Sequence, residues 1–458
     1  MSRRRVFLVV GLLFLLAAVL AACAGATPTP ERVVETVVVT KQVEKVVTKE
    51  VEKVVTQVVT KEVVKPKRVL VYNSYMGDPT PRQADIELVK MFQEKYPDVE
   101  VIHSIVAHED FKQAIRAYLT SSSPPDALTW FAGNRLRFFV KRGLVMDISD
   151  MWQEQGWLED YPKGFVELSS YEGRQYFVPT SWYWWAVYYR PSIFEKYGIT
   201  PPKTWDELLS VCDTLRANGI IPFTIGTKYR WTAAGWFDYL NMRINGPEFH
   251  IRLMEGQERY DDPRMRQVFE HWKQLFDHQC FIENAAAYSW QEALAFMIQG
   301  KAAMYLMGDF IRDSFPDELE NDLDFFQFPI INPDVPIGEE APTDGYFIPA
   351  NAPHPEEAKM FIAFVGSPEV QEYFARKLGR LATNSKVPIS IYTPAQQKGI
   401  RMIQQADYIT QFYDRDTTPP MADKGMNAFM KFWDNPDRID EILAELEQAR
   451  QEVFAEEQ

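Results

Sequence analysis

Strand and helix signals alternate at the start of the apolar part of this chain, and this alternation constrains its fold more than any other feature. Apolar stretches at 69–72, 99–106 and 126–131 are typical of strands, and segments with helical spacing separate them. Strands that alternate with helices form a mostly parallel sheet, so we predict an α/β protein. Ligands of such sheets bind beyond the carboxyl ends of the strands, and the loops 73–78 and 130–135 are therefore expected to lie side by side.

A second series of strand and helix signals begins after residue 185. Apolar stretches at 186–190, 220–225 and 302–307 are typical of strands. Between them, Thr204-Trp-Asp-Glu207 has the pattern of a capping box, which predicts the start of a helix. The chain is therefore predicted to contain two α/β lobes.

The first 23 residues have the pattern of an export signal. Three arginines at 3–5 precede an uncharged apolar run at 6–22, and Leu20-Ala21-Ala22-Cys23 closes it. This pattern resembles a bacterial lipobox. The resemblance implies a signal peptide over 1–22 and an acylated Cys23, which anchors the protein by lipid to the outer face of the cytoplasmic membrane. A single transmembrane anchor is the alternative, although the run is short for spanning about 30 Å of hydrocarbon.

Residues 23–67 are biased in composition and repetitive. The segment Val43-Glu-Lys-Val-Val-Thr-Lys-Glu50 recurs in part at 51–56, and no leucine or aromatic residue of this region offers a core. We interpret it as a tether between the lipidated N-terminus and the folded part of the chain. An amphipathic helix or coiled coil is the alternative, and the sequence leaves the conformation open.

Composition excludes several classes of protein. Hydrophobic residues make up 46% of the 458 residues, which argues against disorder throughout the chain. The formal net charge of −15 argues against a nucleic-acid-binding surface. Six histidines and three cysteines leave little material for metal clusters, and no cofactor is predicted. Cys212 and Cys280 form either a disulfide or two buried thiols, and both alternatives remain open.

Short motifs along the chain occur in an order that is similar to one known family. They are Pro125-Asp126 with Trp130, Gly133-Asn-Arg-Leu136, Gly143-Leu144, Pro202-Lys-Thr-Trp-Asp-Glu-Leu208, Gly300-Lys-Ala-Ala-Met-Tyr-Leu-Met-Gly308, Gly345-Tyr-Phe-Ile-Pro349, Ala358-Lys359 and Gly366-Ser-Pro-Glu369. Together they resemble the extracellular solute-binding proteins of bacterial ABC importers, in the carbohydrate-binding branch related to maltose-binding protein. The resemblance covers residues 69–446.

The resemblance implies a two-lobed periplasmic-binding-protein-like fold. Under this expectation the first lobe comprises 68–186 and 346–388, and the second lobe comprises 187–345 and 389–458. Members of this family bind a sugar or oligosaccharide between the lobes and deliver it to the permease subunits of an ABC importer. The chain is accordingly expected to be a monomeric binding protein and no enzyme. Neither the identity of the sugar nor its chain length follows from the sequence.

The resemblance also places the segments that join the lobes. The chain is expected to cross near 186–189 and again near 343–347, and 383–391 is expected to return it to the second lobe. These crossings would act as the hinge when the lobes close on a ligand.

The chemistry of sugars selects the aromatic candidates. Sugar rings present flat C–H faces and hydroxyl edges, so their sites combine aromatic rings with hydrogen-bonding groups. The candidates are Trp130, Trp182, Tyr183, Trp184, Trp231 and Trp236. Within 182–185, alternate side chains of an extended segment point to opposite faces, so two are expected to face the cleft. Trp231 is the strongest candidate because it precedes the small-residue segment 232–235, where the chain can approach a ligand closely. Burial in the core is the alternative for each ring.

The polar candidates lie at strand ends and turns, and Asn134 is also expected to cap a helix that runs to Lys141. They are Tyr75, Asp78, Asn134, Arg135, Asp309 and Asp344 with Gly345. By resemblance, Asn134 and Arg135 match sugar-contacting positions of the maltose-binding relatives, although the family's usual acid is an amide at Asn134. A carboxylate such as Asp309 or Asp344 can accept hydrogen bonds from two sugar hydroxyls. An ordinary solvated turn aspartate is the alternative for both.

Two other functions are weighed against sugar binding. No G-x-S-x-G, H-E-x-x-H, P-loop or C-x-x-C motif is present, but a glycoside hydrolase needs only two carboxylates across a cleft and stays an alternative. A ferric-iron receptor of the same fold would use Tyr188 and Tyr189 as phenolate ligands. Because these two residues are adjacent, they point to opposite faces of a strand.

Overall fold

The computed structural model describes residues 31–37, 59–65 and 67–456. The predicted signal peptide, Cys23 and the repeat at 43–56 lie outside the described residues. Within the described part of the chain, no helix is both long enough and apolar enough to cross a membrane.

One compact unit comprises the described residues up to 69 together with 93–101. In it, strands β1 (Glu31–Val37) and β2 (Val59–Lys65) pair antiparallel, with Glu31 opposite Lys65 and Val37 opposite Val59. This pairing differs from the alternative of an amphipathic helix or coiled coil, while the role of the segment as a tether stays a prediction. The physical reason lies in its valine and threonine content, because β-branched side chains favour extended backbone.

A second compact unit comprises residues 70–92 and 102–458. The further strands of the chain are β3 (Arg68–Ser74), β4 (Val99–Ile105), β5 (Ala127–Phe131), β6 (Ser170–Tyr171), β7 (Arg174–Gln175), β8 (Val178–Trp182), β9 (Trp185–Tyr189), β10 (Ile221–Phe223), β11 (Ala302–Gly308), β12 (Asp324–Phe326), β13 (Gly338–Glu340), β14 (Thr343–Phe347), β15 (Leu381–Ala382) and β16 (Tyr408–Thr410).

The described α-helices flank these strands. They are α1 (Pro79–Lys95), α2 (His108–Thr120), α3 (Asn134–Val140), α4 (Ser149–Glu154), α5 (Trp157–Asp160), α6 (Lys163–Leu168), α7 (Pro191–Lys196), α8 (Trp205–Ala217), α9 (Trp231–Asn245), α10 (Pro247–Met254), α11 (Pro263–Asp277), α12 (Trp290–Ile298), α13 (Pro355–Val365), α14 (Pro368–Leu378), α15 (Pro394–Gln404), α16 (Tyr413–Asp416), α17 (Pro419–Asp434) and α18 (Ile439–Glu456). Short 3-10 helices occupy 285–287, 309–314, 317–322 and 389–391.

The larger sheet has six strands in the order β15-β8-β14-β5-β3-β4. Strands β3 and β5 are parallel, with Tyr72 opposite Ala127, as the alternation of strands and helices predicted. Strand β14 runs antiparallel to both β5 and β8. It does so because it arrives from a distant part of the chain rather than through a helical crossover, and the sheet is therefore mixed.

The smaller sheet has four strands in the order β10-β11-β9-β12. The protein therefore has the two-lobed α/β fold that the sequence predicted. The chain leaves the larger sheet after Trp182 and enters the smaller one at Trp185, so this crossing precedes the expected segment at 186–189. The second crossing lies between β12 and β14, likewise before 343–347. Both expected segments are strands inside the sheets, because their apolar side chains are buried there. The limits of the lobes at single-residue level stay predictions.

Helix ends follow the local sequence. Thr204 caps α8 in a capping box with Glu207, as predicted, and Ser367 caps α14. The start of α3 differs from the expectation that Asn134 caps it. Gly133 takes the cap position with φ +81°, and Asn134 is the first helical residue. Its amide is therefore free to reach another part of the chain.

Cys212 and Cys280 are both buried free thiols. The two side chains are hydrogen-bonded neighbours, and burial raises the pKa of Cys212 well above its usual value. Of the two alternatives left open by the sequence, the structure shows the pair of thiols.

Candidate functional site

A cavity of about 520 Å³ lies where the carboxyl ends of β3 and β5 face elements that flank the smaller sheet. Its volume falls in the range of about 300–1,000 Å³ that is typical of small-molecule sites. The two loops expected to lie side by side do so, because the backbone N–H of Tyr75 donates to Thr129 Oγ1 and the Tyr75 ring stacks on Phe131 at 5.2 Å. Both rings line the cavity.

Aromatic rings from separate segments form the opposite wall. Trp185 stacks on Phe412 with ring centroids 4.6 Å apart, and Trp231 stands nearly perpendicular to Trp185 at 6.0 Å. Phe310 lies 5.3 Å from both Tyr183 and Trp290. The cavity thus offers ring faces in several orientations, which suits a ligand with flat apolar faces.

A glycine makes room for this wall. A Cβ at Gly235, on α9, would lie 3.0 Å from the Trp185 ring and 3.3 Å from Phe412. The small side chains between Trp231 and Trp236 therefore let the Trp185–Phe412 stack approach the helix closely. The sequence predicted close approach at 232–235, but by a ligand rather than by these rings.

Three of the predicted aromatic residues face away from the cavity. Trp130 and Trp236 are 1% exposed and Trp184 is 0% exposed. Trp130 packs against Phe139, Trp236 against Phe223, and Trp184 against the backbone of Gly399, where a Cβ would lie 2.4 Å from the ring. These rings belong to the core and do not line the cavity.

The segment 182–185 divides as its alternation predicts. Tyr183 and Trp185 line the cavity, while Trp182 and Trp184 do not. Trp182 instead donates its indole N–H to Ala382 O on β15 at 3.2 Å. Successive side chains of an extended segment point to opposite faces, and this alternation explains the division.

Asn134 and Arg135 bind the chain itself rather than line the cavity. Asn134 Nδ2 donates to Asp416 O at 2.6 Å, and Arg135 Nη1 lies 2.5 Å from Asp414 Oδ2. Lys112 Nζ approaches the same Asp414 carboxylate at 3.2 Å. Burial alone would raise the pKa of Asp414, but Lys112 and Arg135 hold it well below its ordinary value. Asn134 and Arg135 therefore position α16, whose Asp414 does line the cavity.

The two predicted aspartates differ in placement. Asp344 lines the cavity and accepts a hydrogen bond from Arg415 Nη1 at 3.0 Å. Asp309 is turned toward β9, where Tyr188 O–H donates to its Oδ1 at 2.7 Å, and it does not line the cavity. Burial raises the pKa of Asp309 to about 6. Gly345 serves the sheet, because it sits at a register shift where a Cβ would lie 2.1 Å from Val178 O.

Several lining residues escaped the sequence analysis. They are Trp290, Phe310, Asp313, Arg380, Phe412 and Arg415. The Arg415 guanidinium lies over the Phe131 ring at 4.1 Å while it pairs with Asp344. Only one signal in the sequence bears on these positions: Arg380 directly follows Gly379, which ends α14 with φ +67°.

Two hydrogen bonds span the cavity between elements of the two sheets. Thr80 Oγ1, on α1 after β3, donates to Asp313 O at 3.4 Å. Gln291 Nε2, on α12, donates to Asp78 Oδ1 at 3.2 Å. Asp78 and Gln291 both line the cavity, so the structure shows the cleft with its two sides in contact.

The two tyrosines considered as iron ligands do not form a site. Tyr188 bonds to Asp309, while Tyr189 O–H donates to Asp324 Oδ2 at 3.4 Å, and neither lines the cavity. Burial raises the pKa of Tyr189 to about 12 and that of Tyr188 further, so both phenols stay protonated at neutral pH. In the described part of the chain, no cluster of three or more His, Cys, Asp or Glu side chains is placed to hold a metal ion.

Comparison with known families decides the class of this fold and cleft. The model of the family described as bacterial extracellular solute-binding protein matches residues 77–372, which is more than half of the chain. The chain belongs to this family.

Individual relatives support the assignment of this solute-binding protein to its family. An uncharacterised ABC transporter extracellular-binding protein of Pyrococcus horikoshii is 28% identical over 334 residues, which cover 71% of this chain and 74% of the relative. A probable sugar-binding periplasmic protein of Mesorhizobium japonicum is 26% identical over 212 residues, covering 44% of this chain and 48% of the relative.

A solved structure is also similar over most of the chain. The bacterial solute receptor AcbH, whose structure is described with an exclusive preference for β-D-galactopyranose, superposes with a TM-score of 0.79 at 29% identity. The match covers 85% of this solute-binding protein and 100% of AcbH. Members of this family bind solutes rather than transform them.

Proposed function

We propose that this protein captures a sugar or short oligosaccharide in the cleft and delivers it to the permease subunits of an ABC importer. The observation that carries the proposal is the lining of the cavity, in which ring faces at Trp231, Trp185 and Tyr75 surround charged groups such as Asp344 and Arg415. Aromatic faces match the C–H faces of a sugar, and charged groups match its hydroxyls. The sugar-binding relatives and the galactose receptor support the same class of ligand.

Capture is proposed to proceed by closure of the two lobes, without chemical change of the sugar. The contacts of Thr80 with Asp313 and of Gln291 with Asp78 join the two sides of the cavity and support a closed form. A ligand that touches both walls stabilises this form by its differential affinity, and the closed form is the state that a permease distinguishes. We propose that the protein acts as a monomer.

A thermal-shift panel of neutral and acidic mono- and disaccharides tests the function. A sugar at about 100 times its dissociation constant adds about 2.7 kcal/mol to the free energy of unfolding, which raises the melting temperature. We expect at least one sugar to do so and to be recovered unchanged by chromatography. A panel without any stabilising sugar contradicts the function, and a converted sugar favours the hydrolase.

We also propose that Cys23 carries the lipid anchor at the outer face of the cytoplasmic membrane. The support is the run of three arginines, the apolar stretch and the small residues before Cys23. Metabolic labelling with a fatty acid tests it: Cys23→Ser is expected to lose the label that the parent chain carries. Label that persists in Cys23→Ser refutes the anchor.

A further inference from the structure

Arg380 is the charged lining residue on which this inference depends. It lines the cavity directly after α14, in the short connection to β15 of the larger sheet. No hydrogen bond or ion pair joins its guanidinium to another residue of the described ranges, and its Nε is buried without a partner. Buried arginines are ordinarily paired, because an unpaired buried charge is costly.

The carboxylate that attracts Arg380 most strongly is Asp313. Asp313 belongs to the 3-10 helix at 309–314, which follows β11 of the smaller sheet, and it also lines the cavity. Burial raises the pKa of Asp313 to about 7, although the attraction of Arg380 opposes this shift. No ion pair within 4.0 Å connects the two side chains. Arg380 thus lines the cavity from an element next to the larger sheet and Asp313 from an element next to the smaller sheet, and no direct ion pair joins them.

The chemistry of these two side chains selects the kind of group that joins them. A guanidinium only donates hydrogen bonds, and a carboxylate only accepts them. A hydroxyl does both, so one placed between Arg380 and Asp313 satisfies the two groups at once. A ligand carboxylate would satisfy Arg380 but would meet the like charge of Asp313 and nearby Asp344, both of which interact with Arg380.

Apart from the exposed Lys228, the other cations of the cavity already pair with carboxylates. Arg415 is held by Asp344, and Lys112 is held by Asp414 and Glu109. The acidic lining residues are Asp78, Glu109, Asp110, Glu292, Asp313, Asp344 and Asp414. The basic ones are Lys112, Lys228, Arg380 and Arg415. The excess of acidic over basic groups therefore disfavours an anion in the cleft.

The volume of the cavity limits the length of the ligand. A cavity of about 520 Å³ lies in the lower half of the range of about 300–1,000 Å³ that is typical of small-molecule sites. A site of this size suits a ligand of one or two sugar rings. The contacts of Thr80 and Gln291 across the cleft further restrict a longer chain.

We infer that Arg380 and Asp313 form a hydroxyl-binding pair, which makes the cleft selective for neutral sugars of one or two rings over uronic acids. This inference rests on the proposed function, since it specifies the ligand class of the same cleft. It assigns a specificity role to two residues whose sequence context carries no motif. It also accounts for the unpaired guanidinium, because the ligand supplies the missing partner.

Calorimetric titration at pH 8, where the Asp313 carboxyl is ionised, tests the pair. The probes are D-galactose with D-galacturonate and D-glucose with D-glucuronate. The parent protein is expected to bind at least one neutral hexose about 100-fold more tightly than its uronate. Arg380→Gln is expected to weaken binding of the neutral hexose roughly 10- to 100-fold, because a charge-assisted hydrogen bond is lost. Asp313→Asn is expected to shift the preference toward the uronate at least about tenfold.

Two matched variants control for general effects of charge. Arg376→Gln removes an exposed arginine of α14 that pairs with Glu372, and Asp317→Asn removes an exposed carboxylate four residues beyond Asp313. Both are expected to bind like the parent, and melting curves verify that all four variants fold. If a neutral hexose binds Arg380→Gln and Asp313→Asn as it binds the parent, the inference fails while the proposed function stands. A parent protein that prefers the uronates also overturns the inference. If none of these probes binds the parent and no sugar of the thermal-shift panel stabilises it, both fail together.

Discussion

The aromatic rings of the cleft and those of the core lie close together in the sequence but have different surroundings. Trp231 and Trp236 occupy the same helix, α9, yet Trp231 lines the cavity while Trp236 packs between Phe223 and Phe281. Along 183–185, Tyr183 and Trp185 face the cavity and Trp184 between them is fully buried. Residue type therefore does not separate binding from packing. The direction of each side chain on its helix or strand does.

The largest expected effect is the loss of protein stability when a ring of the core is removed. Trp236→Ala and Trp184→Ala remove buried rings from tightly packed surroundings, and each is expected to lower the free energy of unfolding by about 3–5 kcal/mol. Urea unfolding of the two variants and of the parent measures this loss. Trp231→Ala serves as the comparison, since its ring borders a cavity and its removal leaves less unfilled space. Equal losses at Trp231 and Trp236 would contradict the division between cleft and core.

The next effect concerns sugar affinity, and it is expected at the ring that lines the cavity rather than at the ring in the core. If Trp231 carries a sugar ring, Trp231→Ala is expected to weaken binding by about 1–3 kcal/mol, roughly 5- to 150-fold. Trp236→Phe keeps an aromatic ring in the core, and it is expected to bind the sugar with the parent's affinity. Calorimetric titration of the same sugar into both variants gives the comparison. Unchanged affinity in Trp231→Ala removes this ring from the site.

Acidic groups show the same contrast between cleft and core. In the cleft, Lys112 and Arg135 stabilise the Asp414 carboxylate. Outside the cavity lining, Asp238 on α9 and Glu340 on β13 are fully buried and their charges interact, and His250 Nε2 lies 3.6 Å from Asp238 Oδ1. Burial, and for Glu340 also the charge of Asp238, raises the pKa of both carboxyls well above the ordinary values. The core pair therefore favours a bound proton.

This core pair predicts a third effect, a pH dependence of stability. The pKa of Glu340 is higher in the folded state than in the unfolded state, where it is about 4.3. The contribution of this carboxyl to the free energy of unfolding is therefore complete below about pH 4.3 and is lost as the pH rises toward the pKa of the folded state. Between the pKa values of the unfolded and folded states, each carboxyl with a raised pKa lowers the free energy of unfolding by up to about 1.4 kcal/mol per pH unit. Glu340→Gln is expected to reduce the loss measured by urea unfolding between pH 5 and pH 8.

The control for this prediction is Glu248→Gln, which changes an exposed glutamate of α10. It is expected to show the same loss of stability between pH 5 and pH 8 as the parent. A loss in Glu340→Gln as large as the parent's would show that the pair does not hold the proton. Asp414 acts in the opposite direction, because its lowered pKa adds stability above about pH 3.9 that disappears on acidification.

Much of the fold was predictable because its signals are local. The capping box at Thr204, the cap at Ser367 and the terminating Gly379 each depend on a few neighbouring residues. The parallel neighbours β3 and β5 followed from the alternation of strands and helices. Antiparallel β14 was harder to place, because its partners lie about 160 and 220 residues away in the sequence.

The site was predictable only where a strand end or a turn marked it. Tyr75, Tyr183, Trp231 and Asp344 were predicted and line the cavity. Trp130 and its neighbour Phe131 show the limit, because composition does not give the phase of a strand and a shift of one residue exchanges the two faces. Arg380, Asp313 and Phe412 come from three distant segments, and only the folded chain brings them to one cavity.

Small-angle scattering tests the central claim, that a sugar binds between the two lobes, most directly. A ligand held by Trp231 and Asp313 on one side and by Tyr75 and Arg380 on the other must draw the lobes together. The radius of gyration is therefore expected to decrease when the best sugar of the panel is added, and Trp231→Ala is expected to need more sugar for the same decrease. A sugar that binds tightly in calorimetry and leaves the radius of gyration unchanged would contradict the account.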